Sequence, residues 1–226
     1  MNVVIFANGE PTAAVEAITY AQRADLIIAV DGGGNHCHRL GIEPDILLGD
    51  LDSINSEVLK YYRKNSVLIQ QYPTEKDKTD LELALDLAVI KQATQVTVFA
   101  ALGGRWDMSL ANLLILAVDD YAGLDITIIE QRTKIGVCRG GETKLLEFPH
   151  GTTVSFIPLA GDAAGVTFTG FKYPLTNQTL GFGSGCGVSN VLIGGKGMVT
   201  VGSGVLLWTA IVELPPGVNI IGSVPE

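Results

Sequence analysis

The sequence predicts two unlike halves: an α/β half built on an open, mostly parallel sheet flanked by helices, and an all-β half folded as an antiparallel β-sandwich. Three observations lead there. Through about residue 130, short β-rich runs alternate with helix-like segments, the pattern of a parallel sheet with covering helices. After about residue 135 the texture changes to Gly, Thr and short alternating runs without an amphipathic helix, as in a sandwich or small barrel. Several apolar runs of the first half end in clusters of Asp and Gly, and the carboxyl ends of strands are where open α/β sheets bind ligands. The change of texture puts the boundary in "TKIGVCRGGETK", giving an expected α/β domain over 1–134 and an expected β domain over 135–226.

In chain order, the expected strands of the first half are "VVIF", "LIIAV", "DILL", "SVLIQ", "VTVFAA" and "ITIIE", all rich in β-branched residues. Between them, "INSEVLKYYRKN" reads as a helix. In "TDLELALDLAVIKQA", Leu81, Leu85 and Ala88 recur at helical spacing behind Thr79-Asp80-Leu81-Glu82, a capping-box pattern, so a helix should start near Asp80. A further apolar helix is expected in "LANLLILAV". In the second half, "TTVSFIPL", "GVTFTGF" and "GMVTVGSGVLLWTAIVEL" read as strands, and "LGFGSGCGVSN" and "LIGGKGMV" as tight turns or ligand loops.

Composition narrows the function. The net charge of -9 argues against nucleic acid and anionic lipid as partners, which call for clustered Lys and Arg. The longest apolar runs fall short of the roughly 20 residues of a membrane helix. The opening "MNVVIFANGE" reads as a first strand rather than a signal peptide, so the expected compartment is the cytoplasm. Cys37, Cys138 and Cys186 are far apart and lack a CxxC pair, which disfavours a disulfide framework or zinc site.

Four strand ends carry polar clusters that a parallel sheet would bring to one edge. The first is Asp31-Gly32-Gly33-Gly34-Asn35, where glycines allow backbone N–H groups to approach an anion; a tight strand-to-helix turn is the alternative. The second is Gly49-Asp50-Leu51-Asp52-Ser53. In an extended segment both carboxylates project to one side, as a magnesium bridge to phosphate would need, although Asp52 or Ser53 could also cap the following helix. In the third, "YPTEKDKTD", Asp80 could complete a carboxylate set while Lys76 and Lys78 neutralise phosphate oxygens; Asp77 reads as a solvated charge. The fourth, "LGGRWDM", offers Arg105 for a bidentate phosphate contact, Asp107 to orient it or cap a helix, and Trp106 for core or rim packing. The adjacent His36, Cys37 and His38 read as incidental, and no nucleophile-histidine-acid arrangement is visible. The result is a carboxylate-rich, metal-dependent phosphate site working by positioning and charge neutralisation.

The stretches "DGGGN", "GIEPDILLGDLDSI", "YPTEKDKTDLELAL", "LGGRWDMSLANL", "GFKYPL" and "GVSN", in this order over nearly the whole chain, resemble the thiamine pyrophosphokinase (thiamine diphosphokinase) family. The resemblance implies an N-terminal α/β domain, a C-terminal β-sandwich, and transfer of a pyrophosphoryl group from ATP to the hydroxyl of thiamine, giving thiamine diphosphate and AMP. It further implies a homodimer whose thiamine site is shared between subunits. By motif position, Asp50, Asp52 and Asp80 correspond to magnesium-binding acids and Asp31, Gly32, Gly33 and Asn35 to the active-site turn. Arg105 and Asp107 correspond to the nucleotide-side motif, and Tyr173, Ser189 and Asn190 to the thiamine side. Met108 stands where many bacterial relatives have histidine, and Gly34 where alanine is more usual. Two alternatives stand beside this reading: another Mg2+-dependent phosphoryl or nucleotidyl transferase, and a thiamine- or nucleotide-binding protein without catalysis.

Overall fold

The computed structural model describes residues 1–10 and 13–212. It divides into two compact units between Gln131 and Arg132. The sequence reading of a β domain running to residue 226, and the last two residues of the run "VLLWTAIVEL", extend past Val212 and lie outside the described residues.

The first unit is an all-parallel sheet with helices. Its elements are β1 (Asn2–Phe6), α1 (Ala14–Ala21), β2 (Leu26–Val30), α2 (Gly33–Leu40), β3 (Ile46–Gly49), α3 (Ser56–Lys64) and β4 (Leu68–Gln71). They continue with α4 (Asp80–Ile90), β5 (Gln95–Phe99), α5 (Trp106–Leu114) and β6 (Asp125–Glu130). The strands lie in the order β6-β5-β1-β2-β3-β4, every pair parallel. Alternate residues bury opposite faces. Val4, Phe6, Ala29, Leu47, Phe99 and Ile129 join one core with Ala17 and Ala21 of α1, Cys37 of α2 and Val58 and Tyr62 of α3. On the other face, α4 packs against β2 and β3 with Leu81, Ala84, Leu85 and Ala88 buried.

The local signals mostly act as expected. α4 begins at Asp80 behind a complete capping box, in which Thr79 Oγ1 accepts from Glu82 N at 3.3 Å and Glu82 Oε2 accepts from Thr79 N at 2.8 Å. α3 is capped by Asn55, whose Oδ1 accepts from Glu57 N at 2.8 Å, so neither Asp52 nor Ser53 has that role. β4 starts at Leu68, two residues later than "SVLIQ" suggests, because α3 ends in a turn that puts Ser66 at φ 63° and bonds Val67 N to Tyr62 O. The helix expected in "LANLLILAV" begins earlier, at Trp106, and tightens into a 3-10 turn over Ile115–Ala117.

The second unit has two antiparallel sheets. One is β12 (Asn190–Val191), β9 (Thr153–Pro158), β14 (Val205–Ile211) and β7 (Thr133–Arg139). The other is β11 (Leu175–Leu180), β10 (Ala163–Thr169), β13 (Lys196–Thr200) and β8 (Thr143–Glu147). Phe156, Leu206 and Trp208 from the first sheet share one core with Leu146, Val166, Phe168, Leu180 and Val199 from the second. Two sheets closing over a common apolar layer make the expected sandwich. No helix among the described residues is long and apolar enough to cross a membrane.

Candidate active site

The strand order of the first unit fixes where a ligand can sit. The chain runs outward from β1 through β2 and β3 to β4, then returns to β5 on the other side of β1. The carboxyl ends of β1 and β5 therefore flank the point where the winding reverses, which is the ligand crevice of an open α/β sheet. A cavity of about 590 Å³ opens there. Its walls include Asn8 and Glu10 after β1, Asp31 after β2, Asp50 and Asp52 after β3, Asp80 at the start of α4, and Arg105 before α5.

The acids converge by local distortion of the backbone. Asp31 sits at φ 47° and Leu51, between Asp50 and Asp52, at φ 67°. Left-handed backbone at a non-glycine residue costs about 1 kcal/mol and persists only where surroundings impose it. The Asp50–Asp52 pair is thus brought together by a left-handed turn after β3 rather than by the extended segment the spacing suggests. Oxygens of Asp31, Asp50 and Asp52 lie within 4.8 Å of one another. Asp31 is buried, with Ser53 N donating to its Oδ1 at 3.2 Å and Asn8 Nδ2 to its Oδ2 at 3.5 Å. Asp52 N donates to Asp50 Oδ1 at 3.2 Å, and Ser53 Oγ to Asp52 Oδ1 at 2.7 Å.

Asp80 stands at the edge of this set. Burial raises its carboxyl above the usual range; Lys76 opposes that shift, and the neighbouring carboxylates of Asp50 and Asp31 add to it. Lys76 Nζ is 3.1 Å from Asp80 Oδ1, an ion pair that holds this buried oxygen at the edge of the cluster. Three converging carboxylates, with the Lys76-paired Asp80 beside them, form an all-oxygen donor set of the kind hard divalent cations such as Mg2+ prefer.

The remaining sequence-selected residues divide. Gly32 and Gly33 do not line the cavity. A Cβ on Gly32 would lie 2.0 Å from Asn8 Oδ1, and one on Gly33 2.0 Å from Phe6 O, so these glycines let α2 press against the end of β1. Asn35 also serves the framework: its Nδ2 donates to Ser53 O at 3.0 Å and its Oδ1 accepts from Asn55 N at 2.8 Å, pinning the loop that carries Asp50 and Asp52. Lys78 is directed elsewhere, to Asp86 at 2.5 Å, so it does not join the cavity; Lys76 donates to Pro73 O at 3.0 Å beside Asp80. Arg105 reaches the cavity and pairs with Asp107 at 2.5 Å; both are exposed, and Asp107 lies in the first turn of α5 rather than capping it. Trp106 is 83 % exposed and is not core. His36, read as incidental, bonds to Gly9 O through Nε2 at 3.0 Å.

Sequence reasoning passed over the end of the first strand. Gly9 N donates to Ala100 O at 2.7 Å and Glu10 N to Leu102 O at 2.8 Å, so the loops after β1 and β5 are zipped together. Gly9 is required for this, since a Cβ there would lie 2.3 Å from Leu102 O. The Asn8-Gly9 pair, one residue after "VVIF", was the available signal. On the far side of the same loop, Glu130 Oε2 accepts from Leu102 N at 3.3 Å, while Ser109 Oγ and Asn112 Nδ2 hold the backbone of Gly103 and Ala101.

In the second unit, Tyr173 is 57 % exposed with Lys172 Nζ 5.4 Å from its ring centroid. Ser189 is at φ 58°, its N–H donating to Ser155 Oγ at 3.0 Å. Asn190 is only 2 % exposed, and both polar atoms of its amide are committed to backbone groups, so it does not present them to a ligand.

Comparison with known proteins gives a consistent picture. Residues 18–128 match the family model "Thiamin pyrophosphokinase, catalytic domain", and residues 142–206 match "Thiamin pyrophosphokinase, vitamin B1 binding domain". The thiamine pyrophosphokinase of Bacillus subtilis (strain 168) is 33% identical over 208 residues, covering 92% of this chain and 97% of that one. A crystal structure of the Bacillus subtilis enzyme superposes with a TM-score of 0.83 at 31% identity, covering 95% of this chain and 100% of the other. One from Geobacillus thermodenitrificans superposes at 0.79 and 30% identity, covering 94% and 98%.

Proposed function

The chain belongs to the thiamine pyrophosphokinase family, and on that premise we propose that it transfers the pyrophosphoryl group of ATP to the hydroxyl of thiamine, giving thiamine diphosphate and AMP with the help of Mg2+. The observation that carries the chemistry is the convergence of Asp31, Asp50 and Asp52 within 4.8 Å at the winding reversal of the sheet. With Asp80 they would hold the cation. Bound Mg2+ supplies neutralisation of phosphate charge and a fixed orientation for the donor.

The protein's own groups supply the rest. Asn8, Ser53 and Asn35 hold the acids in place through the hydrogen bonds to Asp31 and to the 53–55 loop. Arg105, at the wall of the cavity, offers a planar guanidinium to a phosphate oxygen, and Asp107 orients it. The acceptor alcohol has a high pKa, so one carboxylate of the cluster takes its proton as the new P–O bond forms. Release of AMP requires attack at the β-phosphorus, so product identity depends on placing the hydroxyl in line with that atom. On the acceptor side, the exposed ring of Tyr173 presents a face suited to a cationic thiazolium. A homodimer with an acceptor pocket shared between subunits is part of the proposal, and sedimentation tests it.

The experiment that tests the reaction is incubation with thiamine, ATP and Mg2+, with an EDTA control, followed by separation of nucleotides and thiamine esters. Matched AMP and thiamine diphosphate, lost with EDTA, is the expected outcome. ADP would indicate simple phosphorylation and pyrophosphate would indicate nucleotidyl transfer; thiamine binding without turnover would indicate a binding protein.

A further inference from the structure

We infer that Asn190 is a positioning residue, which holds Tyr173 for the acceptor and does not itself touch it; the inference rests on the reading of the β half as thiamine-binding. The argument starts from a short ladder that stops abruptly. Ile193 N donates to Gly170 O at 2.9 Å, Phe171 and Leu192 form a β-bridge, and Lys172 N donates to Val191 O at 2.8 Å. Carried on in register, the ladder would set Tyr173 against Asn190 and Pro174 against Ser189. It cannot continue. Pro174 has no N–H, and Ser189 turns away at φ 58°.

Opposite Asn190, Tyr173 stands at a non-hydrogen-bonded position of this register, where the ladder itself offers its N–H and C=O no partner, and leaving them unpaired is costly at a partly buried position. Asn190 supplies one from its side chain. Its Oδ1 accepts from Tyr173 N at 3.0 Å and its Nδ2 donates to Tyr173 O at 2.8 Å, so a single amide satisfies both backbone groups that the ladder does not reach. The same Oδ1 accepts from Val191 N at 2.9 Å. Asn190 is itself fixed to the sheet, paired with Val154 of β9, and Ser189 N is held by Ser155 Oγ. The result is a buried bidentate clamp beneath an exposed aromatic ring. The ring face already has an ammonium, that of Lys172, 5.4 Å from its centroid, the kind of contact a cationic ligand ring would also make.

The test is a double-mutant cycle with Asn190→Ala and Tyr173→Ala, reading steady-state kinetics and thiamine binding by calorimetry. Each single variant should raise the KM for thiamine about tenfold, while kcat and the KM for ATP stay within about twofold. The double variant should bind thiamine no more than about twofold worse than Tyr173→Ala alone, because Asn190 acts only through Tyr173. Asn190→Asp guards against a folding failure: it is isosteric and keeps the acceptor, but sets a carboxylate oxygen against Tyr173 O. It should weaken thiamine binding in the wild-type background and have no effect in Tyr173→Ala. Losses that multiply in the double variant would overturn the positioning role and make Asn190 an independent contact. Normal thiamine binding by Tyr173→Ala would overturn it too. A wild-type protein that binds no thiamine would remove both this inference and the reading beneath it.

Discussion

Glu130 ends β6 with a carboxyl group in a poor environment. Its Oε2 accepts from Leu102 N, its Oε1 is buried without a hydrogen bond, and burial pushes its pKa from 4.5 up to about 7, with Leu102 N–H opposing and Glu10 adding to the shift. A carboxyl whose pKa is raised on folding favours the protonated native state. Its contribution is complete below the unfolded value and is lost as pH rises from there through the folded value. Glu130→Gln keeps an acceptor for Leu102 N and removes the charge. At pH 8 the variant should therefore be more stable by on the order of 1–2 kcal/mol, discounted for partial exposure, and the gain should vanish near pH 4. Denaturant melts across pH check this, and a pH-independent difference would refute it. Glu130 could not be singled out from sequence, because its significance depends on Leu102 and Glu10, both distant in the chain. Asp31, Asp50 and Asp52 were legible, since acids directly after apolar runs announce themselves. The left-handed turns at Leu51 and Ala100 were not, because neither residue type signals positive φ.

At the scale of elements, the glycine triplet shows that a motif read for its ligand also has a packing reason. "DGGG" suggested either backbone opened to an anion or a tight strand-to-helix turn, and the turn is visible in the room that Gly32 and Gly33 provide for α2 against Asn8 and the carbonyl of Phe6. The three glycines are not equivalent. A Cβ on Gly33 meets backbone atoms, Phe6 O at 2.0 Å and Ala7 O at 2.9 Å, so a helix or strand must shift. A Cβ on Gly34 meets only side-chain atoms, Ile54 Cδ1 at 2.8 Å, Leu47 Cδ1 at 3.2 Å and the ring edge of Tyr62 at 3.3 Å, of which the closest is the end of a flexible side chain. Gly33→Ala should therefore cost about 3 kcal/mol or more, and Gly34→Ala about 1 kcal/mol or less. Equilibrium unfolding of the two variants checks the order, and equal costs would refute the packing account. Where the signal was contained within a few residues, as in the Thr79–Glu82 capping box, the sequence reading was accurate to the residue. Where a cap competed with a site, as among Asp52, Ser53 and Asn55, it was not.

For the whole molecule, the two textures of the sequence were enough to foresee a parallel α/β unit and an antiparallel sandwich, because hydrophobic period and turn composition are local and repeat along each half. Which acids meet is a long-range property of strand order, and the sequence could state only that they share an edge. That convergence has a thermodynamic consequence. In a chain of net charge -9, three carboxylates within 4.8 Å repel by about 1 kcal/mol per pair even at water-like screening, a cost accepted for binding. A cation that binds the native state alone offsets it, by about 2.7 kcal/mol at a concentration a hundredfold above its Kd. Asp50→Asn removes one charge and keeps the Oδ1 that accepts from Asp52 N. Relief of two such pairs, about 2 kcal/mol, should make this variant melt about 4–8 °C above the wild type without Mg2+. Added Mg2+ should raise the midpoint of the wild type, leave that of Asp50→Asn unchanged, and fail to restore turnover to the variant. A variant less stable without metal, yet still stabilised by Mg2+, would mean that the acids hold one another through hydrogen bonds and that the cation binds elsewhere.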